Sequence, residues 1–160
     1  MMCLAATVDS QALIMERSTQ TRHTIIAGYG IPGRAVAEAM KAAGTSYCVI
    51  ELNPTTVHRC ELGNVPIIEG DCRSPEILVQ ARIAEADLFV IVIPDEKAAI
   101  EATVQAKRLN PNIRILTRCH YTSAGIIARA SGADDVIVAE QVVAQEASAR
   151  VKKILAQSNS

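Results

Sequence analysis

The sequence predicts an α/β domain with a doubly wound, six-stranded parallel sheet. Two observations support this prediction. Short apolar runs alternate with segments of helical spacing from residue 24 onward, and the first of these runs leads into a glycine-rich turn. Right-handed crossovers between such units give the strand order 3-2-1-4-5-6 as the default. Ligands are then expected at the carboxyl ends of strands one and four, where that order reverses.

Composition excludes several classes of protein. The chain has 160 residues, of which 49% are apolar and only 2% aromatic, and its formal net charge is −1. No apolar run approaches the length of a membrane span or forms a signal peptide, and no basic patch indicates nucleic-acid binding. The five cysteines include no C-x-x-C pair and predict reduced, cytosolic thiols, while the scattered histidines predict no zinc site.

Six apolar runs are assigned to strands, at residues 24–27, 46–51, 65–69, 88–93, 113–117 and 136–138. Pro66 is compatible only with the entry of the third strand, since it cannot donate to a ladder. The fourth run is uninterrupted, which is typical of a central parallel strand buried on both faces.

Capping residues predict where the helices between these strands begin. Asn53 precedes Pro54, a favourable pair for the start of the second helix. We expect Ser74 to open the third helix, Asp95 to cap the fourth and Ser123 to cap the fifth.

The two ends of the chain lie outside this alternation. Residues 1–22 are weakly patterned and are predicted to be a tail or connector, whereas residues 23–139 form the sheet domain. Residues 140–160 contain an amphipathic helix followed by a tail. The apolar face of that helix either packs on its own domain or crosses to a partner; its residues are Val143, Ala147, Val151, Ile154 and Leu155.

The glycine-rich turn has the G-x-G-x-x-G spacing of a Rossmann phosphate-binding turn. Gly28 permits the sharp turn out of strand one, Gly30 leaves room for a pyrophosphate, and Gly33 lets the first helix pack close to the sheet. Pro32 fits the first helical turn, where a missing N–H costs nothing. The free N–H groups there favour an anion.

Glu51 ends strand two, about 20 residues after the glycine turn, which is the position of the ribose-binding acid in such folds. A carboxylate there accepts hydrogen bonds from both ribose hydroxyls and repels a 2′-phosphate. The sequence therefore favours NAD over NADP.

Asp71 follows strand three and is predicted to contact the base or the ribose; the alternative is that it caps or supports the third helix. Arg73 faces either phosphate or solvent. Ile93 and Pro94 end strand four and would form the floor of the pocket. Arg118 ends strand five, where it could contribute positive charge to the pocket, although the sequence favours a surface salt bridge.

No catalytic constellation is visible. There is no Ser-His-Asp set and no Lys-Tyr pair near a nicotinamide site, and the sheet with one extra helix accounts for the chain. The absence of a substrate domain indicates that the nucleotide is sensed rather than turned over.

Several segments together resemble the N-terminal domain of the RCK family, also called the Trk- or KTN-type NAD-binding domain, which regulates potassium conductance. They are HTIIAGYGIPGRAVAEAM, YCVIELNPTTV, VPIIEGD, EILVQARIAEADLFVIVIPDEKAAI, NIRILTRC and SGADDVIVAE. The first two are most similar to the version in Kef-type cation:proton antiporters. Ile31 departs from the pattern, since many relatives carry an arginine there that contacts phosphate, and Arg34 could partly compensate.

The resemblance implies a cytoplasmic regulatory domain at the inner face of the membrane. It would bind NAD, NADH, AMP, ADP or ATP, form a homodimer or higher oligomer of RCK domains, and control a potassium channel or cation:proton antiporter on the same or a separate chain. The terminal helix then corresponds to the family's crossover helix. The predicted cofactor-binding residues are Gly28, Tyr29, Gly30, Ile31, Pro32, Gly33, Glu51, Leu52, Asp71, Cys72, Ile93 and Pro94.

Two other functions stay open at this point. One is a small NAD-dependent oxidoreductase or a subunit of one, although neither a hydride-acceptor site nor a proton donor is visible and His120 could be catalytic only with a substrate domain. The other is a dimerisation module whose pocket has degenerated.

Overall fold

A computed structural model describes residues 23–158 of the chain. The predicted tail at residues 1–22 lies outside this range. The strands are β1 (His23–Ala27), β2 (Ser46–Glu51), β3 (Ile67–Glu69), β4 (Leu88–Ile91), β5 (Arg114–Cys119) and β6 (Asp135–Val138). The helices are α1 (Ile31–Ala42), α2 (Pro54–Leu62), α3 (Pro75–Gln80), α4 (Glu96–Leu109), α5 (Thr122–Ala130) and α6 (Ala139–Ser158), with a 3₁₀ turn at Ile83–Glu85.

The six strands form one parallel sheet in the order β3-β2-β1-β4-β5-β6. The fold class and the strand order predicted from the sequence are therefore confirmed. β1 lies at the centre, paired with β2 on one side and β4 on the other, so its carboxyl end is the point where the order reverses.

Apolar side chains cover both faces of the central strands. Ile25 and Phe89 belong to one buried cluster, and Ile26 and Val90 belong to a second. Because successive side chains of a strand point to opposite faces, an uninterrupted apolar run fits strands covered on both sides. This accounts for the composition of β1 and β4.

Three of the four helix caps predicted from the sequence are present in the structure. Asn53 accepts backbone hydrogen bonds from Thr55 and Thr56, and Asp95 accepts one from Ala98. Ser74 likewise caps α3.

The prediction for Ser123 is wrong, because α5 begins at Thr122 and its N-cap position is Tyr121, two residues before Ser123, with no side-chain cap. The Glu96 carboxylate, reaching across from α4, instead accepts the backbone N–H groups of His120 and Tyr121 just before α5. A local sequence signal cannot reveal this long-range partner.

Helix α6 extends from the edge strand β6 and leaves most of its surface in contact with solvent. Val143 is 67% exposed and Leu155 is 60% exposed. In the described range 23–158, no helix is both long and apolar enough to cross a membrane.

Gly33 fixes the distance between α1 and the end of β1. A Cβ atom at this position would lie 2.0 Å from the carbonyl oxygen of Gly28, far inside any tolerable contact. At Gly30 the nearest atom to an added Cβ would be 3.9 Å away, and its φ of −69° suits any residue.

The same substitution is therefore expected to cost different amounts of stability at these two glycines. Gly33→Ala should lower the free energy of unfolding by about 1–3 kcal/mol or more, because backbone must move to relieve the overlap. Gly30→Ala should cost less than about 1 kcal/mol, the usual range for an unfavourable helix cap. Urea denaturation followed by circular dichroism measures both. Equal losses in the two variants would contradict this account of the turn.

Candidate nucleotide-binding site

The glycine turn is formed by backbone contacts at the carboxyl end of β1. Gly28 adopts a φ of +95°, which few residues other than glycine tolerate, and its N–H donates to the carbonyl of Ile50 at 2.9 Å. Helix α1 then starts without a side-chain cap and without an acidic residue in its first turn. Its first N–H groups are thus suited to an anion.

Glu51 connects this turn to the start of α2. One carboxylate oxygen accepts the backbone N–H of Tyr29 at 2.8 Å, and the other accepts those of Leu52 and Asn53, each at 2.9 Å. The side chain is only half-buried. The carboxylate is therefore held in place by backbone donors while remaining accessible to a ligand.

Two adjoining clefts open at this edge of the sheet. We name them the turn cleft, of about 690 Å³, and the loop cleft, of about 530 Å³. The turn cleft lies beside the glycine turn and α2, and the loop cleft lies beside the segment that follows β3. Both are lined by Gly28, Glu51, Asn53, Ile93 and Pro94.

Most of the predicted cofactor-binding residues line one or both clefts. Besides the shared residues, those in the turn cleft are Tyr29, Gly30 and Pro32, and those in the loop cleft are Leu52, Asp71 and Cys72. Ile31 and Gly33 line neither. Ile31 is 78% exposed to solvent, and Gly33 is buried beneath the turn.

Asp71 is held in an ion-pair network. Its carboxylate accepts from the Arg73 guanidinium at 2.7 Å and from the Arg73 backbone N–H at 2.8 Å. The same guanidinium reaches Glu101 on α4 at 3.1 Å. Arg73 thus bridges the loop after β3 to α4, so its charge is compensated rather than directed to phosphate.

The two cysteines of the clefts have little thiolate character. Burial raises the pKa of the Cys72 thiol to about 12, and Asp71 adds to the effect. Burial also raises the pKa of Cys60, followed by the charge of Glu51, while Arg59 and Arg34 act in the opposite direction. These thiols contribute apolar surface rather than reactivity.

The sequence analysis missed Arg59, and for Arg118 it favoured a surface salt bridge over a contribution of positive charge to the pocket. Both line the turn cleft together with Arg34. Within the described residues Arg118 forms no ion pair, so the salt-bridge interpretation is not supported. The position of Arg118 near the carboxyl end of β5 could have indicated that it lines the ligand cleft. No local pattern indicated that Arg59, on α2, would face the same cleft.

The family model of the TrkA-N domain matches residues 24–139. The chain belongs to the TrkA-N domain family. The matched residues include all six strands, apart from His23 at the start of β1, and all the residues that line the two clefts.

Two curated relatives of this TrkA-N domain are named as potassium transport proteins. It is 29% identical over 123 residues to a protein named as a K(+) efflux antiporter, KefB, of Alkalimonas amylolytica, and 30% identical over 117 residues to potassium channel protein 1 of Methanocaldococcus jannaschii. The alignments cover 77% and 72% of this chain. The chain spans only 19% and 35% of those relatives' lengths.

Solved structures agree with this assignment. The TrkA-N domain of the inner membrane protein YbaL from Escherichia coli superposes with a TM-score of 0.75 at 28% identity, covering 79% of this chain and 93% of that one. The Kef C-terminal domain of Shewanella denitrificans in its AMP-bound form gives a TM-score of 0.74 at 22% identity, with coverages of 84% and 81%.

The GsuK channel is a third neighbour. Its ADP-bound structure has a TM-score of 0.69 at 22% identity, covering 86% of this chain and 36% of that one. Its NAD-bound structure gives 0.62 at 23% identity, with coverages of 73% and 21%. At these identities the Kef and GsuK structures establish the fold alone.

Asp71 provides a pH-dependent prediction. The hydrogen bond from the Arg73 side chain is the main reason that the Asp71 pKa lies below its ordinary value. A carboxyl whose pKa is lowered by folding adds stability that is fully present above its unfolded pKa, about 4, and is lost as the pH falls through the folded pKa. Asp71→Asn should therefore reduce stability at neutral pH and remove part of the acid-induced loss below about pH 4.

Urea midpoints measured between neutral and acidic pH test this prediction, with Glu69→Gln as the matched control. Glu69 is an exposed carboxylate at the end of the neighbouring strand, outside both clefts. Parallel pH profiles for the parent and Asp71→Asn would show that the Asp71–Arg73 pair contributes nothing to stability.

Proposed function

We propose that this TrkA-N domain binds an adenine nucleotide, NAD(H) or AMP, ADP or ATP, and thereby controls a potassium channel or cation:proton antiporter. The observation that carries the proposal is the position of Glu51, whose accessible carboxylate lies where the two clefts meet. The AMP-, ADP- and NAD-bound neighbours give independent support for this class of ligand.

The two clefts suit different parts of such a nucleotide. The loop cleft presents apolar groups of Ile50, Leu52 and Pro54, which suit the faces of a base. The turn cleft presents the backbone of the glycine turn and basic side chains, which suit phosphate. The ribose between them would lie against Glu51, whose charge disfavours a 2′-phosphate and so favours NAD over NADP.

A regulatory role fits the site better than catalysis. Among the described residues, no lysine or histidine lines either cleft, so a nicotinamide ring would find no such proton donor there. His120, the candidate from the sequence, lines neither cleft. The relatives are an antiporter and a channel, which suggests a place at the inner face of the membrane, joined to a transport domain on the same or a separate chain.

We further propose that residues 23–139 form the nucleotide-binding unit and that residues 140–160 provide the helix through which two copies associate. The support is the exposed apolar surface of α6, including Val143, Val151 and Leu155. Soluble monomers rarely expose contiguous apolar surface of this kind.

Nucleotide binding is tested by thermal unfolding and by calorimetry with NAD, NADP, AMP, ADP and ATP. A ligand present at 100 times its Kd should add about 2.7 kcal/mol of stability. Glu51→Gln should weaken nucleotide binding by about tenfold, since loss of the charge weakens the hydrogen bonds from the ribose hydroxyls. NADP should bind more weakly than NAD.

Glu69→Gln is the control, because it removes a neighbouring carboxylate that lines neither cleft. Nucleotide affinity that survives Glu51→Gln unchanged would disprove the ribose assignment. If none of these nucleotides binds, the domain is better described as a dimerisation module. Turnover of NADH that requires His120 would instead establish an enzyme.

Association through α6 is tested by light scattering across a range of protein concentrations. The parent is expected to be a dimer or larger, and Val151→Glu should shift it toward the monomer by placing a charge in the apolar contact. Gln145→Glu adds the same charge outside the apolar face of α6 and should leave the mass unchanged. A parent that is monomeric at all concentrations, with and without nucleotide, would refute the dimer.

A further inference from the structure

Three arginines from three separate elements line the turn cleft. Arg34 lies in the first turn of α1, Arg59 lies on α2, and Arg118 lies near the end of β5. Arg34 and Arg59 are exposed, whereas Arg118 is half-buried. The fold alone thus gathers them, since their positions in the sequence are far apart.

In the part of the chain that the structure describes, no ion pair compensates the arginines of this cleft. The single acidic residue lining the turn cleft is Glu51, whose carboxylate oxygens already accept three backbone N–H groups. By contrast, the arginine of the loop cleft, Arg73, is paired with both Asp71 and Glu101.

The charges of two of these arginines also influence Cys60, which lines the turn cleft. Burial is the main cause of the raised pKa of this thiol, and the charges of Arg59 and Arg34 both oppose the rise. Arg34 and Arg59, which lie on different helices, thus both place positive charge near the wall of the turn cleft that Cys60 forms.

The lining of the turn cleft has a formal charge of +2, from Arg34, Arg59, Arg118 and Glu51, and the open start of α1 adds to its attraction for an anion. A phosphate monoester carries a charge of about −1.5 to −2 at neutral pH. Guanidinium groups bind phosphate oxygens through pairs of parallel hydrogen bonds, so three of them can serve more than one phosphate. The turn cleft, of about 690 Å³, also has room beyond a single phosphate once the base and ribose occupy the loop cleft.

We infer that Arg34, Arg59 and Arg118 select an adenine nucleotide with two or more linked phosphates over a nucleoside monophosphate. The inference rests on the proposed function, since it specifies the ligand of the same site. Arg59 and Arg118 supply the positive charge that Ile31, exposed and outside both clefts, does not provide.

The experiment compares Kd values for AMP, ADP, ATP and NAD by calorimetry on the parent chain. ADP, ATP and NAD should each bind at least about tenfold more tightly than AMP. Added salt should weaken the binding of ADP and ATP more than the binding of AMP, because ADP and ATP carry more negative charge and more charge pairs are screened.

Substitutions then locate the source of this preference. Arg59→Gln and Arg118→Gln should each weaken ADP binding by about tenfold while changing AMP binding less. Arg114→Gln is the matched control, because Arg114 lies at the opposite end of β5 and outside both clefts. Circular dichroism and the urea midpoint establish that each variant is folded.

The outcomes separate the two proposals. Equal affinities for AMP and ADP on the parent chain would overturn the inference while leaving the proposed nucleotide site intact, and this comparison needs no variant. ADP binding that is unaffected by Arg59→Gln and Arg118→Gln would also overturn it. Failure of every adenine nucleotide to bind would overturn the proposed function itself.

Discussion

The contact between Gly33 and the Gly28 carbonyl is the constraint on which the candidate site depends. It allows α1 to start directly above the end of β1, at a distance that no side chain at position 33 would permit. That placement brings Arg34 to the turn cleft and leaves the start of α1 open at the point where the strand order reverses. A small displacement of α1 would separate these groups.

Electrostatics divides the two clefts into different environments. In the loop cleft, Arg73 is neutralised by Asp71 and Glu101, so apolar surface dominates. In the turn cleft the basic side chains keep their charge, and Glu51 at the junction is satisfied by backbone N–H groups. Because paired charges attract a ligand less than unpaired ones, an anionic group is drawn to one side only.

The sequence predicts the features that arise from local or periodic constraints. The glycine turn, the strand order and the caps at Asn53 and Asp95 follow from residue types at fixed spacings. It does not predict pairings across the fold, such as Arg73 with Glu101. Such contacts depend on side-chain directions and on distances between helices, which no short pattern encodes.

The central position of β1 also determines when the clefts can form during folding. His23 at the start of β1 contacts Ser46 only 23 positions away, but it reaches Asp87 beside β4 across 64 positions. Closing the longer loop costs more chain entropy, so pairing with β4 is expected to follow pairing with β2. Both clefts need Glu51 from one half of the sheet and Ile93 from the other. A chain in which only the first half had assembled would therefore contain the glycine turn and Glu51 but would lack the wall of both clefts that Ile93 and Pro94 form.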